Sequence, residues 1–299
     1  MIAVVSEDAA GYAAEARRRG IEIGHASHDV PAGAEILLAD PGLVAGLLHS
    51  VAGLRWVQST WAGVDALMST SLPEGVILTR AVGVFGPQMA EFVFGHLLAF
   101  TQHVPDRIAD RSWNPVPPDR LAGSTMGIVG TGSIGTHLAA VAAAVGLSTI
   151  GFNRSGSPVD GFERVEVASR LPECAPDIDH LVVGLPATAE TRGLIGSAVL
   201  ERIGPGATLV NVGRGATVDL DAVRSALDGG RLSWAVLDVT DPEPLPTPHP
   251  LWSHERCVVT SHTAAVSRPS DIVGLFEDNL ARFRRGAPLR GLVDLERGY

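Results

Sequence analysis

The stretch Met126-Gly127-Ile128-Val129-Gly130-Thr131-Gly132-Ser133-Ile134-Gly135 decides how the second part of the chain folds. Its first four residues indicate a short apolar strand, and the Ala-rich segment after it indicates a helix. Gly130 and Gly132 allow the backbone to turn tightly and approach a pyrophosphate, and Gly135 lets the helix pack close to the strand. Ser133 and Ile134 open that helix, whose N-terminal N–H groups attract an anion. This strand–loop–helix context predicts a dinucleotide-binding Rossmann domain.

Apolar strands and helices alternate on both sides of this loop, a pattern typical of parallel sheets. The strands predicted before the loop are Ile2 to Val5, Ile36 to Ala39, Trp56 to Ser59 and Val76 to Thr79. The helices predicted there are Ala9 to Arg19, Leu43 to Leu48 and Gln88 to His103. The strands predicted from the loop onward are Gly127 to Val129, Thr149 to Phe152, Leu181 to Leu185, Thr208 to Val212, Ala235 to Val239 and Val258 to Thr260. The helices predicted there are Ser133 to Val145, Leu220 to Leu227 and Asp271 to Arg285.

These elements predict an α/β fold of two doubly wound parallel-sheet domains. A Rossmann cofactor domain, residues 94–265, is inserted into a smaller flavodoxin-like substrate domain, residues 1–93 plus 266–299. The last helix returns to the first domain. The stretch Trp113-Asn114-Pro115-Val116-Pro117-Pro118 cannot form a regular helix, so we expect a linking arm there.

Composition narrows the possible functions. The chain has 299 residues, 45% of them hydrophobic, and a formal net charge of -10, which gives little reason to expect nucleic-acid binding. All 23 basic residues are Arg, which excludes Schiff-base chemistry and a P-loop lysine. Its two cysteines are too few for a disulfide framework or a cysteine-based metal site, so no metal is expected. Without a signal-like start or a long apolar run, the sequence predicts a cytoplasmic protein that does not bind membranes.

The residues after the second Rossmann strand, Asn153-Arg154-Ser155, bear on the choice of cofactor. An acid at this position would accept hydrogen bonds from the ribose 2′-hydroxyl. Here no carboxylate repels a 2′-phosphate, while Arg154 can pair with it and Ser155 can donate to it. The loop therefore favours NADP(H), with NAD(H) still possible if Arg154 is only a solvated loop residue.

Three segments each place one ionisable residue after an apolar strand, where ligands bind in doubly wound sheets. They are Asn211-Val212-Gly213-Arg214-Gly215, Asp238-Val239-Thr240-Asp241-Pro242-Glu243-Pro244-Leu245 and Thr260-Ser261-His262-Thr263-Ala264-Ala265. Hydride transfer to a 2-oxo acid needs a cation that clamps the carboxylate, which suits Arg214. It also needs a charged proton donor, which suits His262 beside the carboxylate of Glu243. The residues alone leave open that Glu243 is one more acid of a Pro-rich loop and His262 a structural histidine.

Together with the glycine loop, these motifs resemble the D-isomer-specific 2-hydroxyacid dehydrogenase family. The segments Trp56 to Asp65 and Phe85 to Glu91 resemble its glyoxylate/hydroxypyruvate reductase-like branch. The resemblance implies a catalytic set of Arg214, Glu243 and His262, and a homodimer formed through the cofactor domain and the arm. It implies cofactor contacts at Leu185, Pro186, Val212, Gly213 and Asp238. It implies substrate contacts at Ala62, Gly63 and Trp252, with the backbone amides near Ala62 and Gly63 meeting the substrate carboxylate across an interdomain cleft.

The leading hypothesis is NAD(P)H-dependent reduction of a small 2-oxo acid, such as glyoxylate or hydroxypyruvate, to the D-2-hydroxy acid. A formate- or phosphite-oxidising relative is a second enzymatic option. Formate dehydrogenases of this family resemble one another in pairing a Gln with the His, whereas this chain has Glu243. A non-catalytic NAD(P)-sensing protein is the third option, and cofactor binding without turnover would favour it.

Overall fold

The structure is a computed structural model that describes residues 1–110, 112–113 and 115–297. Two parallel sheets with helices packed on them confirm the predicted α/β fold. One compact unit contains Met1–Val84 and the chain from Ser267 onward, and the other is Phe85–Val266. The first boundary thus precedes residue 94, the predicted start of the cofactor domain, because one continuous helix begins at Gly86 and packs within the larger unit.

Most of the inner strands form in mainly apolar, buried runs, as expected for parallel sheets that helices cover on both faces. In the described residues they are β1 Ile2–Val5, β2 His25–Ser27, β3 Ile36–Ala39, β4 Trp56–Ser59, β5 Ile77–Thr79, β6 Thr125–Val129, β7 Ser148–Asn153, β8 Arg164–Val167, β9 His180–Val183, β10 Ala207–Asn211, β11 Leu232–Leu237 and β12 Cys257–Val259.

The helices connect successive strands or link the two units. In the described residues they are α1 Ala9–Arg18, α2 Pro41–Val44, α3 Asp65–Met68, α4 Gly86–Thr101, α5 Val104–Ala109, α6 Ser133–Ala144, α7 Leu171–Cys174, α8 Ser197–Leu200, α9 Leu220–Asp228 and α10 Pro269–Arg284. No helix among the described residues is long and apolar enough to cross a membrane.

The smaller unit is a parallel sheet with the order β2-β1-β3-β4-β5, which is the flavodoxin-like order. Its strand order reverses beside β1, so the carboxyl ends of β1, β3 and β4 meet at one edge. Trp56 of β4 stacks on Phe276 and Phe283 of α10 at centroid distances of 5.2 and 5.3 Å. The predicted return of the last helix to this unit is therefore confirmed.

The larger unit is a parallel sheet with the order β12-β11-β10-β9-β6-β7-β8. Its order reverses between β6 and β9, the switch point at which such sheets bind dinucleotides. Apolar side chains fill both faces of the sheet, and α4 and α6 pack together over one of them. The glycine loop between β6 and α6 therefore lies at the switch point of a rigid scaffold.

Several predicted elements differ from the structure. The helix predicted over Leu43 to Leu48 is wrong: α2 ends at Val44, Gly46 has a φ of +77°, and a single 3₁₀ turn follows at Leu48–Ser50. The strands β2 and β8 were missed because they are short edge strands with polar, partly exposed residues. The strand predicted to reach Leu185 ends at Val183, which leaves Leu185 in a loop.

The structure describes only part of the predicted linking arm. Trp113 and residues 115–118 adopt neither helix nor strand, as expected for a proline-rich stretch. Asn114 lies outside the described residues.

Candidate active site

The predicted site residues of the larger unit follow strands whose last residues are in register. Five neighbouring strands end side by side at Val129, Val183, Asn211, Leu237 and Val259. One to three residues beyond these ends lie the candidate residues Gly130, Leu185, Arg214, Asp238 and His262. The parallel register therefore brings all five loops to one edge of the sheet, where ligands bind in open α/β sheets.

The glycine loop is so closely packed that side chains do not fit at two of its positions. Gly130 has a φ of +111°, and a Cβ there would lie 2.9 Å from the carbonyl oxygen of Gly184. A Cβ at Gly135 would lie 1.9 Å from the carbonyl oxygen of Gly130. A Cβ at Gly132 would meet nothing within 4 Å, so this glycine faces open space. The loop thus has room for a ligand on the side of Gly132.

Helix α6 begins at this loop with an N-terminus that no side chain caps. Its N-cap is Gly132, which accepts a hydrogen bond from Thr136 N at 2.8 Å. The N–H groups of the first turn, which include Ser133 and Ile134, have no acceptor within a helix. An uncapped helix of 12 residues behind an open glycine fits the pyrophosphate of a dinucleotide, since its N–H groups and dipole favour an anion.

The loop after β7 is organised by the side chain of Asn153. Its Oδ1 accepts hydrogen bonds from Ser155 N at 3.1 Å and Gly156 N at 2.7 Å, and its Nδ2 donates to the carbonyl of Ser157 at 3.0 Å. Ser155 Oγ donates to Ser157 Oγ at 2.8 Å. Asn153 therefore shapes the turn that carries Arg154 and Ser155, and both of these residues are exposed.

The loops after β9 and β10 contact each other closely. A Cβ at Gly213 would lie 2.6 Å from the backbone nitrogen of Leu185, and Gly213 N donates to Asn211 Oδ1 at 3.1 Å. The carbonyl of Pro186 accepts a hydrogen bond from Thr191 Oγ1 at 2.7 Å. The residues predicted to border the cofactor, including the buried Val212, thus belong to two fixed loops beside the glycine loop.

Asp238 holds the loop that carries His262. Its side chain is only 2% exposed, and its carboxylate accepts hydrogen bonds from Thr260 Oγ1 at 2.6 Å, Thr263 N at 2.8 Å and Ala264 N at 3.0 Å. Its carbonyl accepts from His262 N at 2.8 Å. This positioning role was not predicted from the sequence, although an acid directly after a buried strand, next to the strand that precedes His262, is a recognisable signal.

His262 and Glu243 form a hydrogen-bonded pair. Nδ1 of His262 donates to Oε1 of Glu243 at 2.8 Å, with side chains 51% and 42% exposed. His262 adopts a φ of 55°, a left-handed conformation that few non-glycine residues adopt and that occurs often at functional sites. Because Nδ1 is used by the carboxylate, Nε2 is the ring nitrogen left to donate a proton to a ligand.

Arg214 lies in a turn that is held by hydrogen bonds to its carbonyl and by close packing of the next residue. Its carbonyl accepts hydrogen bonds from Thr217 Oγ1 at 2.7 Å and Asn211 Nδ2 at 3.2 Å. A Cβ at the next residue, Gly215, would lie 1.9 Å from the carbonyl carbon of Thr240. The turn therefore packs directly on the loop after β11, which leads to Glu243.

In the smaller unit, the loop after β4 contains Ala62 and Gly63. Within the described part of the chain, the backbone N–H groups of these two residues donate to no other group. Both residues are half-buried at the carboxyl end of a parallel strand. Two adjacent amides without acceptors are suited to binding a carboxylate.

Trp252 lies in the loop region after Glu243. Its indole Nε1 donates to the carbonyl of Leu245 at 3.2 Å, while 44% of the residue is exposed. The indole is thus anchored at one edge and presents its remaining surface to solvent.

Comparisons with known proteins agree with this fold. The family model of the D-isomer-specific 2-hydroxyacid dehydrogenase NAD-binding domain matches residues 94–264. The chain is 33% identical to glyoxylate/hydroxypyruvate reductase A of Citrobacter koseri over 256 residues, which cover 82% of each protein.

Solved structures resemble the chain over almost its full length. A D-isomer-specific 2-hydroxyacid dehydrogenase family protein from Aeromonas salmonicida has a TM-score of 0.88 and 36% identity, covering 98% of both chains. An NADPH-dependent glyoxylate/hydroxypyruvate reductase from Sinorhizobium meliloti, in complex with NADP and sulfate, has a TM-score of 0.86 and 27% identity, covering 100% of this chain and 99% of the other.

These relatives place the protein among the NAD(P)-dependent oxidoreductases. The chain belongs to the D-isomer-specific 2-hydroxyacid dehydrogenase family. Within the family it falls in the branch of glyoxylate/hydroxypyruvate reductase A, as its sequence motifs indicated.

Proposed function

We propose that the protein reduces a small 2-oxo acid of the glyoxylate or hydroxypyruvate type to the D-2-hydroxy acid, with NADPH as the preferred reductant. The observation that supports this proposal most is the His262–Glu243 pair, 2.8 Å apart, at the strand edge that also bears Arg214 and the glycine loop. The Citrobacter relative, whose name gives it this reductase activity, adds support for the substrate class.

Each residue has a distinct task in the proposed reaction. Arg214 and the amides of Ala62 and Gly63 bind the substrate carboxylate. His262 donates the proton on Nε2 to the carbonyl oxygen, and Glu243 stabilises the charged imidazole through Nδ1. Asp238 keeps the His262 loop in place. The reduced nicotinamide, when bound, supplies the hydride.

The test is a set of initial rates with glyoxylate, hydroxypyruvate, pyruvate and a bulkier 2-oxo acid, each with NADPH and NADH. We expect glyoxylate and hydroxypyruvate, the smallest or most polar of these acids, to be reduced fastest. We also expect NADPH to be used faster than NADH. Cofactor binding with no turnover of any acid would contradict it and favour a sensing protein.

The loop after β7 supports the preference for NADPH. A 2′-phosphate needs donors and positive charge, and this loop presents Arg154 and Ser155 on a turn that Asn153 holds in shape. The Sinorhizobium structure contains NADP. No carboxylate stands at the end of β7 to select the free 2′-hydroxyl of NADH.

Replacing Arg154 with Ala is expected to raise the KM for NADPH by about 10- to 100-fold, because one charge-assisted contact to the phosphate is lost. The KM for NADH should change little, since NADH lacks the phosphate. Arg164→Ala is a matched control: Arg164 is an exposed arginine of the neighbouring strand β8 that pairs with Asp177 at 3.4 Å. An equal rise in the KM for NADPH and the KM for NADH would show that Arg154 does not bind the 2′-phosphate.

A homodimer formed through the larger unit is part of the proposal. Large apolar residues of α4, α5 and the arm are exposed: Leu98, Val104, Ile108, Trp113 and Val116. Ile108 is 67% and Trp113 97% exposed, and such patches mark interaction surfaces. Light scattering should give about twice the chain mass of 31.2 kDa, whereas the monomer mass would contradict this part. A cytoplasmic location stays a prediction of the sequence.

A further inference from the structure

The loop after β4 is held by a buried carboxylate that none of the roles above uses. Asp40 follows β3 and is only 6% exposed. Its carboxylate accepts hydrogen bonds from Ser6 Oγ at 2.8 Å, from Glu7 N at 2.9 Å and from Thr60 Oγ1. Because Val5, Ala39 and Ser59 are in register, the residues that follow these strands meet at one edge of the smaller sheet.

The same threonine is held from a second side by the segment that enters α10. Ser267 Oγ donates to the carbonyl of Thr60 at 2.7 Å, and the carbonyl of Ser267 accepts from Tyr12 Oη at 3.3 Å. Burial raises the pKa of Tyr12, and the nearby carboxylates of Asp40 and Asp8 add to the shift, so this phenol stays a hydrogen-bond donor. Thr60 thus has both its hydroxyl and its carbonyl fixed.

The next residue of the loop is fixed as well. Ser59 Oγ accepts from Trp61 N at 3.0 Å and donates to the carbonyl of Trp61 at 3.0 Å, and Ala81 N donates to that carbonyl at 3.0 Å. The amides of Ala62 and Gly63, which have no acceptor among the described residues, come directly after this anchored segment. Their direction therefore depends on where Thr60 and Trp61 are held.

We propose that Asp40 and Ser267 are positioning residues that fix the Thr60–Gly63 loop so that its two free amides converge on the substrate carboxylate. This inference rests on the proposed function, which assigns those amides to the substrate. Preorganised donors bind a charged group well only if their positions are fixed before the ligand arrives. A small displacement of such donors is costly, since about 1 Å of misplacement can reduce a rate by about a hundredfold.

The test compares Ser267→Ala with Ser267→Thr, and Thr60→Val with Thr60→Ser. Variants that lose the hydroxyl are expected to raise the KM for hydroxypyruvate about tenfold, the effect of one hydrogen bond, with a smaller change in kcat. The KM for NADPH should not change. The conservative variants keep the hydroxyl and should restore most of the affinity. Asp40→Asn should act in the same direction as Thr60→Val.

Oxamate binding provides a readout that does not need turnover. Oxamate has a carboxylate beside an unreactive carbonyl, so its dissociation constant in the presence of NADPH should rise by the same factor as the KM. Ser50→Ala is the matched control, because the exposed Ser50 hydroxyl also donates to a backbone carbonyl, that of Leu47, at 2.7 Å within the same unit. It should leave both constants unchanged.

Two outcomes would overturn the inference. One is a lower melting temperature in Ser267→Ala with unchanged KM and oxamate binding, which would indicate a structural role alone. The other is an equal rise of both constants in Ser50→Ala. If the wild-type protein reduces no 2-oxo acid, the proposed function fails, and the effect of Ser267→Ala on oxamate binding still decides whether this loop holds a carboxylate.

Discussion

Replacing His262 with Ala is expected to lower kcat for glyoxylate and hydroxypyruvate by about 10²- to 10⁴-fold, the usual effect of losing a general acid. The proton for the carbonyl oxygen would then have to come from water, which is a much weaker acid than an imidazolium. Glu243→Gln should lower kcat by a smaller factor, because His262 keeps its position but loses the neighbouring negative charge. Steady-state rates with NADPH measure both effects.

A second histidine–carboxylate pair supplies the control for this experiment. His254 Nε2 lies 3.5 Å from Asp228 Oδ1 in the same unit. His254→Ala should leave kcat within a few-fold of the wild type. The reason is that His254 precedes β12, whereas the candidate residues follow the carboxyl ends of the strands. Rates of His262→Ala close to the wild type would show that His262 is not the proton donor.

Replacing Gly135 with Ala should weaken NADPH binding by about 10- to 100-fold and lower the melting temperature. The new Cβ would lie 1.9 Å from the carbonyl oxygen of Gly130, so the glycine loop or α6 must move. The quenching of protein fluorescence by NADPH measures the affinity, and thermal unfolding measures the stability.

Substitutions at two further glycines distinguish an effect on packing from an effect on contact with the cofactor. Gly132→Ala should fold normally, because its Cβ meets nothing within 4 Å, but should still weaken NADPH binding by filling the space in front of α6. Gly95→Ala, in the middle of α4 with no atom within 4 Å of its Cβ, should bind NADPH as the wild type does. Normal affinity in both Gly135→Ala and Gly132→Ala would contradict this location of the pyrophosphate.

The central strands could be predicted because each is a short, mainly apolar run, as is typical of a buried parallel strand. The edge strands β2 and β8 give no such signal, since exposed polar residues interrupt them. The helix predicted over Leu43 to Leu48 has an apolar composition, but Gly46 takes a left-handed conformation and ends it.

Those residues of the candidate site that lie just beyond the ends of strands in register could be predicted from the sequence. Arg214 and His262 each lie three residues beyond the end of a strand, and the parallel sheet brings such positions together. The Asp40–Thr60–Ser267 network was not predictable, since Thr60 is 20 residues from Asp40 and 207 residues from Ser267 along the chain. Only the strand order and the return of the chain into the smaller unit bring these residues into contact.

The central claim is a hydride transfer from NADPH to the carbonyl carbon of a 2-oxo acid that yields the D-hydroxy acid. The most direct test is to incubate the protein with hydroxypyruvate and NADPH deuterated at both C4 positions, and to determine the configuration and deuterium content of the product. The prediction is D-glycerate with one deuterium at C2 and one equivalent of NADP⁺. L-glycerate, or glycerate without deuterium at C2, would contradict it.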